Sequence, residues 1–301
     1  MPIHATTTGT HKASLLLSLL LALPACGKEP SADAASASKE AAREPAVAPE
    51  PDAAVTRPGS KLRPARADVP LPEANHAWPA EDGLLDIKIS TRGLSVGDEK
   101  LLLIDNGEIK LQDMKGPHMV PALYERLKAH VDGGGAALQH SYDPGTKAST
   151  LGNVMYAAAR AAYKGPHRVM VKVGEEEGAL PMHVPSFDRA LSDADAACRL
   201  ELTLDIIGHT LSTIDDRDEA APVPRVPDGS GRQTFDWAAF DARVTELAKA
   251  HEGATWVTIK VGPGVPMREL VRALDGLMGP SCDDPVSGEG CWFTYFEFDF
   301  L

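Results

Sequence analysis

A chain of 301 residues with a net charge of −13 is long enough for about two domains and ill suited to nucleic acid or an anionic surface as its main partner. No basic cluster with interleaved aromatics occurs, which sets nucleic-acid binding aside. Its four cysteines form no C-x-x-C, so neither a zinc ribbon nor a thioredoxin-type redox site is expected.

The first element is the apolar run ASLLLSLLLAL, eleven apolar or small residues from Ala13 to Leu23. Crossing a bilayer core takes about 20 helical residues, so a membrane span is excluded. Lys12 precedes the run and Leu23-Pro24-Ala25-Cys26 ends it, which resembles a bacterial lipobox. The expectation is a signal peptide over residues 1–25 and lipidation of Cys26 as the mature N-terminus. An ordinary signal peptide with a nearby cysteine is the competing reading. Lipidation implies a bacterial envelope protein facing the periplasm, where disulfides form. Gly27 stands where some bacteria place Asp to retain a lipoprotein in the inner membrane, which favours the outer one.

Residues 26–78 are rich in Ala, Pro, Ser and charge, with little apolar bulk to offset chain entropy. They are expected to form a disordered tether, about 50 residues spanning on the order of 40 Å as a coil.

Two copies of one plan follow, at 79–176 and 198–301, with a connector over 177–197. LLDIKISTRGLSV (84–96) and LELTLDIIGHTLST (200–213) both alternate apolar and polar residues, the pattern of half-buried strands. Superposing the apolar positions sets Leu85 on Leu202, Ile89 on Ile206 and Leu94 on Leu211. The first helix of each copy carries an apolar stripe, Val120, Leu123, Leu127 and Val131 in one and Trp237, Phe240, Val244 and Leu247 in the other. Asp236 is placed to cap the latter helix. Each copy then has a strand, a Gly/Pro-rich turn and a second helix. The second stripes are Leu151, Val154, Met155 and Ala158, and Leu270, Ala273, Leu274 and Leu277. HRVMVKV (167–173) and CWFTYFEFDF (291–300) close the copies as strands. The expected fold class is α+β, two tandem ββαβαβ modules, each a small mixed sheet covered by two helices.

The turn running into the second helix carries a family resemblance. In the first copy Asp143 is followed by Leu151, Val154 and Met155; in the second, Val265-Pro266 is followed by Leu270 and Leu274-Asp275, with Gly262 where the Asp would be. With ISTRGLSVGDEKLL and NVMYAAARAAYKGPHRVMVKV, this resembles the periplasmic domain of the ExbD/TolR family, a biopolymer-transport family. The departures are Lys147-Ala148 in place of Pro-Tyr, and the missing transmembrane helix whose aspartate serves proton-driven work in that family. The resemblance therefore implies the soluble module without the proton path. Since the family's modules pair and contact envelope proteins or the cell wall, it implies an intramolecular pseudo-dimer or a homodimer, with envelope proteins or peptidoglycan as partners. A binding or scaffolding role is expected, against a periplasmic enzyme with an unrecognised site or a dedicated peptidoglycan binder.

Few side chains suggest chemistry. H-E-x-x-H does not occur, and no catalytic residue, metal ligand or cofactor is assigned. His140 near Asp143 is the one pair with conceivable proton chemistry, and a surface pair is the favoured reading. DDRDEA (215–220) reads as a solvated loop, and GPGVPM (262–267) as a strand-to-helix turn in preference to an anion seat. Cys282 and Cys291 flank a short loop and are expected to be bridged, leaving Cys198 as a lone thiol. The last strand carries aromatics on both faces, so Trp292, Phe293, Tyr295 and Phe296 are its candidate contact surface.

Overall fold

The computed structural model describes residues 62–299 except 66–67, 82, 136–137, 166, 184–192, 198, 206–207, 214–221, 228, 230, 232 and 286. Cys26, Cys198, the 1–25 segment and the 215–220 loop lie outside the described residues. The architecture is mixed α+β, with one sheet of eight strands and one of six.

The first module runs β1 (Arg63–Pro64), β2 (Leu85–Ile89), β3 (Gly93–Val96), β4 (Glu99–Asp105), β5 (Glu108–Ile109), α1 (Pro121–Asp132), β6 (Leu138–Tyr142), α2 (Ala148–Arg160), β7 (His167–Val173) and β8 (Glu176–Met182). Its sheet order is β1-β8-β7-β6-β2-β3-β4-β5. After a short helix α3 (Asp193–Ala197), the second module runs β9 (Leu200–Leu204), β10 (Gly208–Thr213), β11 (Val223–Pro227), β12 (Gln233–Phe235), α4 (Trp237–Ala250), β13 (Trp256–Val261), α5 (Met267–Met278) and β14 (Tyr295–Asp299). Its sheet order is β12-β11-β10-β9-β13-β14.

The shared centre is a set of three parallel strands, β2-β6-β7 in one module and β9-β13-β14 in the other. Parallel neighbours need crossovers, and α1, α2, α4 and α5 supply them. Two right-handed crossovers stepping the same way put both helices on one face. The helical stripes face that core: Leu123, Leu127, Leu151, Val154, Met155 and Ala158 are buried, as are Phe240, Val244, Leu247, Leu270, Ala273, Leu274 and Leu277. Asp236 caps α4, its side chain accepting from the Ala239 amide at 3.0 Å.

Three sequence expectations are corrected. The repeat register is shifted by one pleat period. Leu85 opposes Leu138 and Leu200 opposes Val257, so Leu85 is equivalent to Leu200, Ile89 to Leu204 and Leu94 to His209. Alternation repeats every second residue, so a slip of two leaves the apolar pattern intact and escapes notice. The connector drawn at 177–197 contains β8, which pairs along β7 from His167↔Met182 to Val173↔Glu176. Most of β8 is buried, and EEGALPM shows no alternation to announce a strand.

The tether drawn to residue 78 also folds at its end. Residues 68–78 form a strap across the first sheet, with Ala74 donating to Lys172, Lys172 to Pro72, and Trp78 and Ala179 exchanging both bonds. Gly178 permits this approach, since a Cβ there would lie 2.6 Å from the Trp78 carbonyl oxygen.

Candidate functional site

The turn motif that carries the family resemblance is where the two modules meet. Pro144–Ser149 and Pro263–Arg268 are equivalent segments, each leading from the central strand into the second helix. Ala148 donates to Val265 at 2.8 Å and Met267 to Thr146 at 2.8 Å. Ser149 donates to Pro263 at 3.2 Å and Arg268 to Pro144 at 3.1 Å. Each bond has its counterpart with the two segments interchanged, the mark of an isologous contact about a twofold axis. Lys147 and Pro266, the equivalent positions, oppose one another on that axis as an antiparallel bridge.

The first amides of a helix have no partner within it, and these bonds satisfy two of them at each helix. GPGVPM is thus a strand-to-helix turn, with the Met267 amide bonded to Thr146 of the other module and the Gly262 and Val265 amides bonded within their own. Asp143 shapes the first turn, its carboxylate accepting from the Gly145 amide at 2.8 Å. Lys147 adds a bond from Nζ to the Gly264 carbonyl at 3.2 Å.

The β4–β5 hairpin supports this turn. Gly107 accepts from Lys147 N and Thr150 Oγ1, and it has φ +83°. A Cβ on it would lie 3.0 Å from the Gly145 carbonyl oxygen. Gly107→Ala is expected to cost about 1–3 kcal/mol by adding backbone strain. Chemical denaturation checks this, and a loss near zero would mean the hairpin does not brace the junction.

A second contact joins the modules at their last strands. His183, just past β8, donates to Phe296 and accepts from Phe298, both at 2.9 Å, while its ring stacks on Tyr295. This covers the outer edge of β14 and overturns the expected contact surface. Phe293 and Phe296 have no exposed surface, Tyr295 is buried, and Trp292 is half-buried against the core. Aromatics on both faces of the last strand reflect burial on both faces. The adjoining Cys282–Cys291 disulfide is formed and closes the loop between α5 and β14.

His140 is likewise not a surface residue paired with Asp143. It is fully buried on β6, with Nδ1 3.1 Å from the Tyr142 hydroxyl and Nε2 3.0 Å from Nδ1 of His167. Neutral tautomers satisfy the chain in either sense, with Tyr142 donating to His140 and His140 to His167, or His167 donating to His140 and His140 to Tyr142. Burial pushes the His140 pKa well below the usual histidine range, with the neighbouring His167 adding to the effect. Burial, aided by His183, lowers His167 to about 3. The second module holds Ile259 and Phe296 at the positions equivalent to His140 and His167, so the polar chain belongs to one copy alone.

The strap ends on the second module. The Asp275 carboxylate, on α5, accepts from the amides of Asn75 and His76, from Asn75 Nδ2 at 2.7 Å and from His76 Nδ1 at 2.8 Å. Burial pushes the Asp275 pKa up, yet the bonds from His76 and Asn75 outweigh it and hold the group below the usual carboxylate range. This residue lies in the helix that the family motif places after the turn, and only the structure shows what it binds.

Among the described residues, no cluster of three or more His, Cys, Asp or Glu side chains is placed to hold a metal ion. No described helix is long and apolar enough to cross a membrane. Comparison with known proteins returned no matching family model, curated protein or solved structure.

Proposed function

We propose that this chain is a non-enzymatic envelope lipoprotein, anchored through Cys26, whose two ExbD/TolR-like modules act together as one binding or scaffolding body. The observation that carries this reading is the reciprocal set of bonds between Pro144–Ser149 and Pro263–Arg268. The resemblance implies modules that pair, and a tandem chain supplies both partners of a pair at once, with the second module always at high effective concentration.

Proton-driven work is not part of the proposal, because it would need an ionisable group within a spanning helix. The body would instead hang by its tether in the periplasm, outer membrane side favoured, and hold an envelope protein or the cell wall. The enzyme alternative draws on the His76–Asp275 pair. Against it, the carboxylate is occupied by four donors, and the nearby Thr245 hydroxyl is spent on the Asp241 carbonyl at 2.8 Å.

Crosslinking in intact cells followed by pull-down from solubilised envelopes tests the reading, alongside co-sedimentation with purified sacculi. Recovery of a specific envelope protein or of sacculi is the expected result, and it should be lost with Cys26→Ala if anchoring places the body. A protein that fractionates as soluble with neither partner would overturn it.

A further inference from the structure

The β4–β5 hairpin turns through Asn106-Gly107, the only asparagine–glycine pair in the chain. Ile104 opposes Ile109 and Asp105 opposes Glu108, so these two residues are the whole loop. Both have positive φ, 56° and 83°, as a type I′ turn requires. Asn106 is exposed, whereas Gly107 is buried. The Gly107 amide donates to the Thr91 carbonyl at 3.3 Å. Its carbonyl accepts from Lys147 N at 3.1 Å and from Thr150 Oγ1 at 2.8 Å. Lys147 opposes Pro266 across the twofold axis, so Gly107 is held by the same turn that bonds the second module.

Asparagine before glycine is the pair most prone to intramolecular deamidation, because no Cβ crowds the attacking nitrogen. The Gly107 nitrogen attacks Asn106 Cγ, ammonia leaves, and a succinimide ring closes. Water then opens the ring at either carbonyl. One opening gives aspartate; the other gives isoaspartate, in which the chain runs through the side-chain carbon. The attack requires the Gly107 amide to leave Thr91, lose its proton and swing toward the carboxamide. In the closed junction that swing is blocked by the three bonds at Gly107 and by its tight seat, where even a Cβ would lie 3.0 Å from Thr146 Cα.

The two products differ in effect. Asp-Gly suits a type I′ turn as Asn-Gly does, so aspartate preserves the loop. Isoaspartate adds one backbone carbon, about 1.5 Å of chain, to a loop of two residues. Gly107 is then displaced from Lys147 and Thr150.

We propose that Asn106 is a self-modification site gated by the module junction. It converts to isoaspartate only while Gly107 is released from Lys147 and Thr150, and the product keeps the junction from closing again. The site is thus an irreversible record of junction opening. The proposal rests on the junction alone and not on the envelope role.

Incubation of the full chain at neutral pH, with isoaspartate quantified by peptide mapping, tests it beside the free peptide LLIDNGEIK (102–110). The full chain should convert about tenfold or more slowly than the peptide, because it must first open locally. Thr150→Val removes one bond to Gly107 and should speed conversion about threefold or more, with its melting temperature checking the fold. The isoaspartate form, made by incubating the chain in urea and refolding it, should lose amide protection at Lys147 and Ala148, while Asn106→Asp retains it. The first and last comparisons stand even if Thr150→Val does not fold. A full chain converting as fast as the peptide, a folded Thr150→Val chain converting no faster than the natural one, or an isoaspartate form as protected as Asn106→Asp would overturn the proposal.

Discussion

Replacing Asp275 by alanine is expected to destabilise the fold by about 3 kcal/mol, the scale for removing a buried carboxylate on which several hydrogen-bond donors converge. The carboxylate is 2% exposed and gathers four donors from Asn75 and His76. Without it those donors are either buried unpaired, at about 1–3 kcal/mol each, or freed by release of the strap. Release is the cheaper outcome, so amide exchange at 74–78 should rise to that of a frayed segment while β6 and β13 stay protected. Asp275→Asn keeps one acceptor oxygen and should lose less. Denaturant unfolding with exchange mass spectrometry measures both quantities, and a loss below about 1 kcal/mol with unchanged protection at Asn75 sinks the latch.

Acid should destabilise the fold through the buried histidine pair of the first module. His140 and His167 are neutral in the fold with pKa values depressed below the ordinary value near 6.5, and His167 lies at about 3. Below pH 6.5 the unfolded chain binds protons at both rings and the folded chain does not. Stability is therefore fully present above that pH and falls as the pH drops toward the folded values. Each ring contributes on the order of 1.4 kcal/mol per pH unit within this window. Asp275, also depressed, loses its contribution in the same direction at lower pH. The second module points to the control: His140→Ile with His167→Phe installs the residues found at the equivalent positions of its sheet, with Tyr142→Phe removing the hydroxyl left without a partner. Urea unfolding at a series of pH values from 7 to 4.5 should show a steep slope in the natural chain and a shallow one in the triple variant. Equal slopes would show that the histidine chain does not govern acid stability.

How far the sequence discloses this fold depends on the element. The helical stripes are legible because a 3.6-residue period over three or four turns is specific, and the residues of both second helices named from it are all buried. Strand register is not, because a period of two is unchanged by a slip of two. The strap is hidden by its setting: Asn75 and His76 follow about 50 residues of tether composition, and nothing local marks them as partners of a carboxylate in a distant helix. His140 lies in LQHSY, where a polar string suggests exposure, yet all five residues are buried. The aromatic strand misleads for the opposite reason. Apolar residues on both faces signify either an interface or a doubly covered strand, and His183, which covers its edge, lies outside any segment readable as a strand. The turn motif is the part of the site most visible in sequence, because Gly and Pro punctuate it in both copies; that the two turns bond to each other is a tertiary fact.

The pairing of the modules within one chain is tested most directly at the twofold axis. Lys147 and Pro266 oppose one another between the hydrogen bonds that flank them, a spacing of about 4.5 Å between Cα atoms that suits a disulfide. In a chain with Cys26 and Cys198 changed to serine, Lys147→Cys with Pro266→Cys should oxidise to a species of monomer mass, whatever the protein concentration. A covalent dimer whose yield rises with concentration would place the two modules in different chains and contradict the account.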